Sequence, residues 1–107
     1  MLEQRLQDPT LRRQRCFIDG EWMSANSGQA LNVTNPATGQ VIGTIPKMGA
    51  SETRQAVEAA KTAFPAWRAR TAGERCSIIR KWGQLLLENL NDLGTIMTAE
   101  PGKPLAE

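Results

Sequence analysis

The spacing of apolar residues changes once along this chain, at Gly49-Ala50-Ser51, and that change sets the class of fold. Before it, short apolar pieces are punctuated by turn residues; after it, apolar side chains recur every three to four positions, the period of a helix. Strands and helices are therefore segregated along the sequence. The expected class is α+β, with two β-hairpins over residues 16–48, three to four helices over residues 51–107 and an N-terminal arm over residues 1–15.

In the strand half, Cys16-Phe17-Ile18 and Glu21-Trp22-Met23 flank Asp19-Gly20, a dipeptide that accepts the positive backbone angles of a tight hairpin. Leu31 to Val33 and Val41 to Ile45 flank Asn35-Pro36-Ala37-Thr38-Gly39, which predicts a second hairpin with a longer loop. Leu2, Leu6 and Leu11 among charges predict a short, weakly amphipathic helix in the arm, broken near Asp8-Pro9.

In the helical half, Ser51 is the expected N-cap of a helix that carries Val57, Ala60, Phe64 and Trp67 on a buried stripe. Pro65 lies on that helix and predicts a kink or a restart, since it removes one amide and crowds the Lys61 carbonyl. Thr71-Ala72-Gly73-Glu74 has the spacing of a capping box. Ile78, Ile79, Trp82, Leu85, Leu86, Leu90, Leu93, Ile96 and Met97 continue as a long apolar stripe, which Asn89, Asn91 and Gly94 divide between two helices.

Composition excludes several function classes. Thirteen Lys and Arg against eleven Asp and Glu are interspersed except at Arg12, Arg13 and Arg15, so no dense basic face is available to nucleic acid or anionic lipid. The arginine cluster reads as a solvated helix end. No apolar run is long enough to span a membrane, and the polar N-terminus is unlike a signal peptide. Two cysteines make a sparse staple for a secreted chain, which points to reduced thiols and a cytoplasmic compartment. An aromatic content of 5%, with Ala supplying much of the apolar count, predicts a marginal core.

No group of residues here runs a reaction unaided. Histidine is absent, which removes the usual base of a Ser-His or Cys-His pair. Cys76 follows Arg75 near a helix start, and Cys16 opens a strand; both read as small buried hydrophobes, as Trp67 and Trp82 read as core. Cys-x-x-Cys spacing and the glycine patterns that cradle phosphates are also absent, and Gly102-Lys103 reads as a helix stop. No catalytic, cofactor-binding or metal-ligating residue is assigned.

The last eight residues, Glu100 to Glu107, read as that stop followed by a proline-led restart at Pro104. The restart is too short to make a helix, which leads to the expectation of an N-terminal piece of a longer protein.

Read in order, these segments resemble the N-terminal part of the aldehyde dehydrogenase family, especially its succinate-semialdehyde dehydrogenase branch. The carrying residues are Phe17-Ile18-Asp19-Gly20-Glu21-Trp22, Val33-Thr34-Asn35-Pro36-Ala37-Thr38-Gly39 and Ile45-Pro46-Lys47-Met48-Gly49-Ala50. They continue with Ala63-Phe64-Pro65-Ala66-Trp67-Arg68, Glu74-Arg75, Ile79-Arg80-Lys81-Trp82 and Glu100-Pro101-Gly102-Lys103-Pro104. The resemblance implies a peripheral part of an α/β cofactor domain, from an enzyme that oxidises succinate semialdehyde to succinate with NAD or NADP. It implies catalysis by a cysteine, a glutamate and an oxyanion-holding asparagine, none of which matches a position here, so this chain alone is expected to be inactive and without a cofactor of its own. In some members a structural monovalent cation is held at positions matching Val33, Thr34 and Glu100. The partner implied is the remainder of the same polypeptide, with self-association through the Ile78 to Met97 face in its absence. The alternative from the residues themselves is a stand-alone hairpin-and-helix interaction module.

Overall fold

Two antiparallel hairpins are followed by three helices in the computed structural model, which describes residues 2–106; Met1 and Glu107 lie outside the described residues. Strands β1 (Cys16–Ile18) and β2 (Glu21–Met23) pair with Phe17 opposite Trp22. The turn between them needs left-handed backbone at both central positions, with φ of 51° at Asp19 and 81° at Gly20. Strands β3 (Ala30–Thr34) and β4 (Val41–Pro46) form the second pair. Its loop is held by the Asn35 side chain, which accepts the Ala37 amide at 2.9 Å. Val33 faces Gly43 and Thr34 faces Val41, so Ile42 is an extra residue in β4, a bulge.

Helix α1 (Ala50–Ala69) has its N-cap two residues earlier than expected, at Gly49 rather than Ser51. Glu52, three residues on, supplies the cap by reaching back to accept the Gly49 amide at 2.9 Å. α1 runs through Pro65 to Ala69 without a restart. Lys61 is exposed, so the carbonyl that Pro65 leaves without an amide partner is open to water. α2 (Ala72–Glu88) begins on the expected capping box: Thr71 Oγ1 accepts the Glu74 amide at 3.2 Å and Glu74 Oε2 accepts the Thr71 amide at 2.7 Å. α3 (Leu90–Ala99) follows across Asn89, so two helices share the long stripe as the asparagines predicted.

What packs differs from what the stripes suggested. The face of α1 against the first hairpin is the alanine ridge of Ala56, Ala59 and Ala63, which lines a common groove with Phe17 and Ile18. Small side chains let the hairpin approach the helix closely. Val57 and Phe64, one helical position round from that ridge, are 59% and 55% exposed. Trp82 is 63% exposed and Trp67 only half-buried, so neither is a core residue. The buried apolar side chains are instead Leu2, Leu6, Ile18, Ala25 and Ala99 among the described residues. The accessible surface of 8322 Å² exceeds the roughly 5,900 Å² expected of a folded monomer of this mass, in keeping with uncovered helical faces.

The N-terminal residues form two single turns of tight helix, Glu3–Arg5 and Pro9–Leu11, and lie against the far end of the chain. Buried Asp92 of α3 accepts the amides of Gln7 at 2.9 Å and Asp8 at 2.8 Å, one on each carboxylate oxygen. This explains why a charged residue sits at the start of α3's inner face: its lone pairs are taken by backbone donors.

Glu52 ties the two halves together. Besides Gly49 it accepts the Asn26 amide at 2.9 Å and the Ser51 hydroxyl at 3.1 Å, and the residue is 5% exposed. These donors, the Asn26 amide foremost, hold its carboxyl at about 2, against an ordinary value of 4.5. A depressed folded-state value contributes stability that is complete above pH 4.5 and is lost as pH falls towards about 2. Glu52→Gln should therefore flatten the fall of stability across that window, measured by denaturant unfolding at a series of pH values; a variant with the wild-type slope would show that these bonds are not made.

Candidate functional site

The residues with chemical potential are scattered. Cys16 is half-buried in β1, while Cys76 lies on the exposed side of α2, contrary to the expectation of a buried thiol. Cys76 borders a groove of about 400 Å³ with Ala72, Arg75, Ile79 and Arg80 of α2 and Trp67 of α1. Histidine is absent from the sequence, and among the described residues no three Cys, Asp or Glu side chains converge as metal ligands.

Residues far apart in sequence do converge where the end of α3 meets the second hairpin. Gly102 ends α3 with φ of 73° and donates its amide to the Thr98 carbonyl at 3.1 Å, the helix stop that the sequence predicted. A Cβ on Gly102 would meet Pro36 Cγ at 2.8 Å, so the stop is pressed against the β3–β4 loop. Lys103 follows in irregular backbone. Beside this junction Arg12 donates from Nη1 to Glu100 Oε1 at 2.7 Å and from Nη2 to the Ile42 carbonyl at 2.9 Å. The Arg12 side chain is only 4% exposed, so this member of the arginine cluster is not a solvated helix end. Gln14 Oε1, two residues on, accepts the Thr44 amide at 2.8 Å, so the segment from Arg12 to Gln14 runs along β4.

This corner decides the fit of a monovalent cation at Val33, Thr34 and Glu100. A guanidinium already lies against Glu100, and a second cation at that carboxylate would meet like charge. The residues present do not fit the ion. Nor do the described residues fit a dinucleotide: both sheets are antiparallel pairs, so there is no parallel strand–helix–strand crossover to aim a glycine-rich turn at a pyrophosphate.

Sequence reading missed Arg12, Ile42 and Gly43 as partners. The ion pair spans 88 positions and depends on how the hairpin docks, for which no local pattern exists. The bulge at Ile42 likewise appears only once β3 and β4 are in register. Among the described residues, no helix is long and apolar enough to cross a membrane.

This arrangement of hairpins and helices is best understood beside its relatives. It is 59% identical over 102 residues to glutarate-semialdehyde dehydrogenase of Pseudomonas putida, covering 95% of this chain and 21% of that protein. It is 55% identical over 103 residues to an NADP-dependent succinate-semialdehyde dehydrogenase of Escherichia coli, covering 96% and 21%. The crystal structure of succinate-semialdehyde dehydrogenase from Burkholderia pseudomallei superposes with a TM-score of 0.92 at 50% identity, covering 95% of this chain and 21% of that one. The chain thus spans about a fifth of the length of the relatives it matches. The profile of the aldehyde dehydrogenase family extends over residues 22–107, from the first hairpin through all three helices, and with that agreement of sequence and backbone the chain belongs to the aldehyde dehydrogenase family.

Proposed function

We propose that this chain forms the N-terminal part of an NAD(P)-dependent dehydrogenase for the semialdehyde of a short dicarboxylic acid, succinate semialdehyde to succinate being the representative reaction, and that the chain alone does not turn over. The observation that carries the reading is near end-to-end similarity, at 55–59% identity, to two enzymes named for four- and five-carbon semialdehydes. The superposition on a succinate-semialdehyde dehydrogenase supports it. The lack of a paired nucleophile and base supports the second half of the proposal.

In this reading the nicotinamide cofactor supplies hydride acceptance elsewhere in the full-length enzyme, while the residues here support the domain that binds it. The apolar side chains of α2 are the surface through which they do so. Ile79, Trp82 and Leu86 recur at helical spacing and are all exposed, a continuous apolar strip without cover in this chain. Its occupant is the remaining four fifths of the polypeptide, a length given by the 21% coverage of the relatives.

The test pairs two proteins. The purified chain, given succinate semialdehyde with NAD or NADP, should produce reduced nicotinamide no faster than a protein-free control. A chimera in which this chain replaces the matching N-terminal fifth of the Escherichia coli relative should oxidise succinate semialdehyde. Turnover by the chain alone would overturn the inactive reading, and a folded but inactive chimera would overturn the parentage.

A further inference from the structure

The Glu100 corner carries an inference that stands independently of the semialdehyde reading. Three oxygens surround the Arg12 guanidinium. Glu100 Oε1 and the Ile42 carbonyl accept its two terminal nitrogens at 2.7 and 2.9 Å. Glu3 Oε1 lies 3.9 Å from Nε, which is buried and has no hydrogen-bond partner. Two carboxylates and a carbonyl are the hard oxygen donors that a small cation selects. Here they are gathered around a side chain that brings its own positive charge.

The backbone is shaped for that side chain. The extra residue in β4 is Ile42, the one whose carbonyl takes Nη2. The next residue is Gly43, where an added Cβ would collide with Arg12 Nη2 and come within 2.9 Å of Gln14 Oε1. A bulge next to a residue without a side chain gives the planar guanidinium a flat approach to the strand. Across β4 from this edge, Gly43 and Val41 pair with Val33 and Thr34, the stretch of hairpin that the cation assignment singled out.

We propose that Arg12 is the built-in cation of this corner: its guanidinium stands between the Glu100 carboxylate and the β4 bulge in the role of a monovalent metal ion, and this chain takes up neither potassium nor sodium there. Arg12 is a positioning residue. It joins the N-terminal segment, the second hairpin and the end of α3 through one delocalised charge, and the fixed fork of its donors serves two differently placed acceptors at once.

Two measurements on the intact chain decide the matter. Sodium NMR line widths should show no broadening that potassium displaces, and Glu100→Gln should leave them unchanged. Broadening that potassium competes away in the wild type and that Glu100→Gln abolishes would overturn the proposal. In thermal unfolding at equal ionic strength, the wild type should melt at the same temperature in potassium chloride, sodium chloride and choline chloride, and Arg12→Met should melt lower by roughly 4–8 °C. A melting temperature that rises with potassium but not with choline, or that Arg12→Met leaves unmoved, would also overturn it. Should Arg12→Met not fold, Glu100→Gln, which keeps an acceptor but removes its charge, should still melt below the wild type; no change in that variant counts against the proposal.

Discussion

Adding one carbon at Gly43 and one at Gly83 should move stability in opposite directions. At Gly43 the new Cβ would collide with the Arg12 guanidinium, which has to shift from its place between Glu100 and the Ile42 carbonyl. Overpacking of this kind costs about 1–3 kcal/mol. At Gly83 the added Cβ meets nothing within 4 Å, and the position lies in the interior of α2, where replacing glycine by alanine is worth about 0.5–1 kcal/mol in helix propensity. Denaturant unfolding of Gly43→Ala and Gly83→Ala should bracket the wild type. With five buried apolar side chains among the described residues, the fold has little margin to absorb the loss at Gly43. If the two variants shift stability in the same direction, the guanidinium does not rest against Gly43.

The second large effect is expected on α2. Trp82→Glu combined with Leu86→Glu places two carboxylates on the apolar strip, four residues apart on one helical face. In the isolated chain, where that strip faces water, the double variant should stay helical and become more soluble, with self-association and hydrophobic-dye binding reduced. In the chimera the same two charges would be buried without partners, a cost of several kcal/mol per ion, and folded enzyme should be lost. Circular dichroism, sedimentation and activity of both proteins check this. A chimera that keeps full activity with both glutamates would show that α2 is not covered by the rest of the enzyme. An isolated wild-type chain that is already a compact monomer would favour the alternative of a stand-alone module.

The sequence made the local elements readable wherever the information was local. Asp19-Gly20 marked the first hairpin, and Thr71 with Glu74 marked the start of α2, because turn backbone and helix amides are satisfied within a few residues. The start of α1 could have been read in the same way: Glu52 stands three residues after Gly49 just as Glu74 does after Thr71, but Ser51 offered a competing cap. Burial was less legible. An apolar stripe specifies a face that avoids water, and whether anything covers that face depends on the remainder of the fold, so Val57, Phe64 and Trp82 read as core and stand exposed. The Arg12 corner was least legible. Its members come from the N-terminal segment, β4 and the end of α3, and an ion pair between residues so far apart leaves no periodic trace in the sequence.

The embrace of Asp92 and Glu100 by the first twelve residues also sets an order of events during synthesis. Gln7, Asp8 and Arg12 leave the ribosome before their partners, which lie 84 to 88 positions later. At about 5–20 residues per second, the opening segment waits several seconds or more with Leu2 and Leu6 uncovered. During that interval the nascent chain presents two leucines and a cluster of arginines to whatever binds at the exit tunnel, and closure follows only after α3 has emerged.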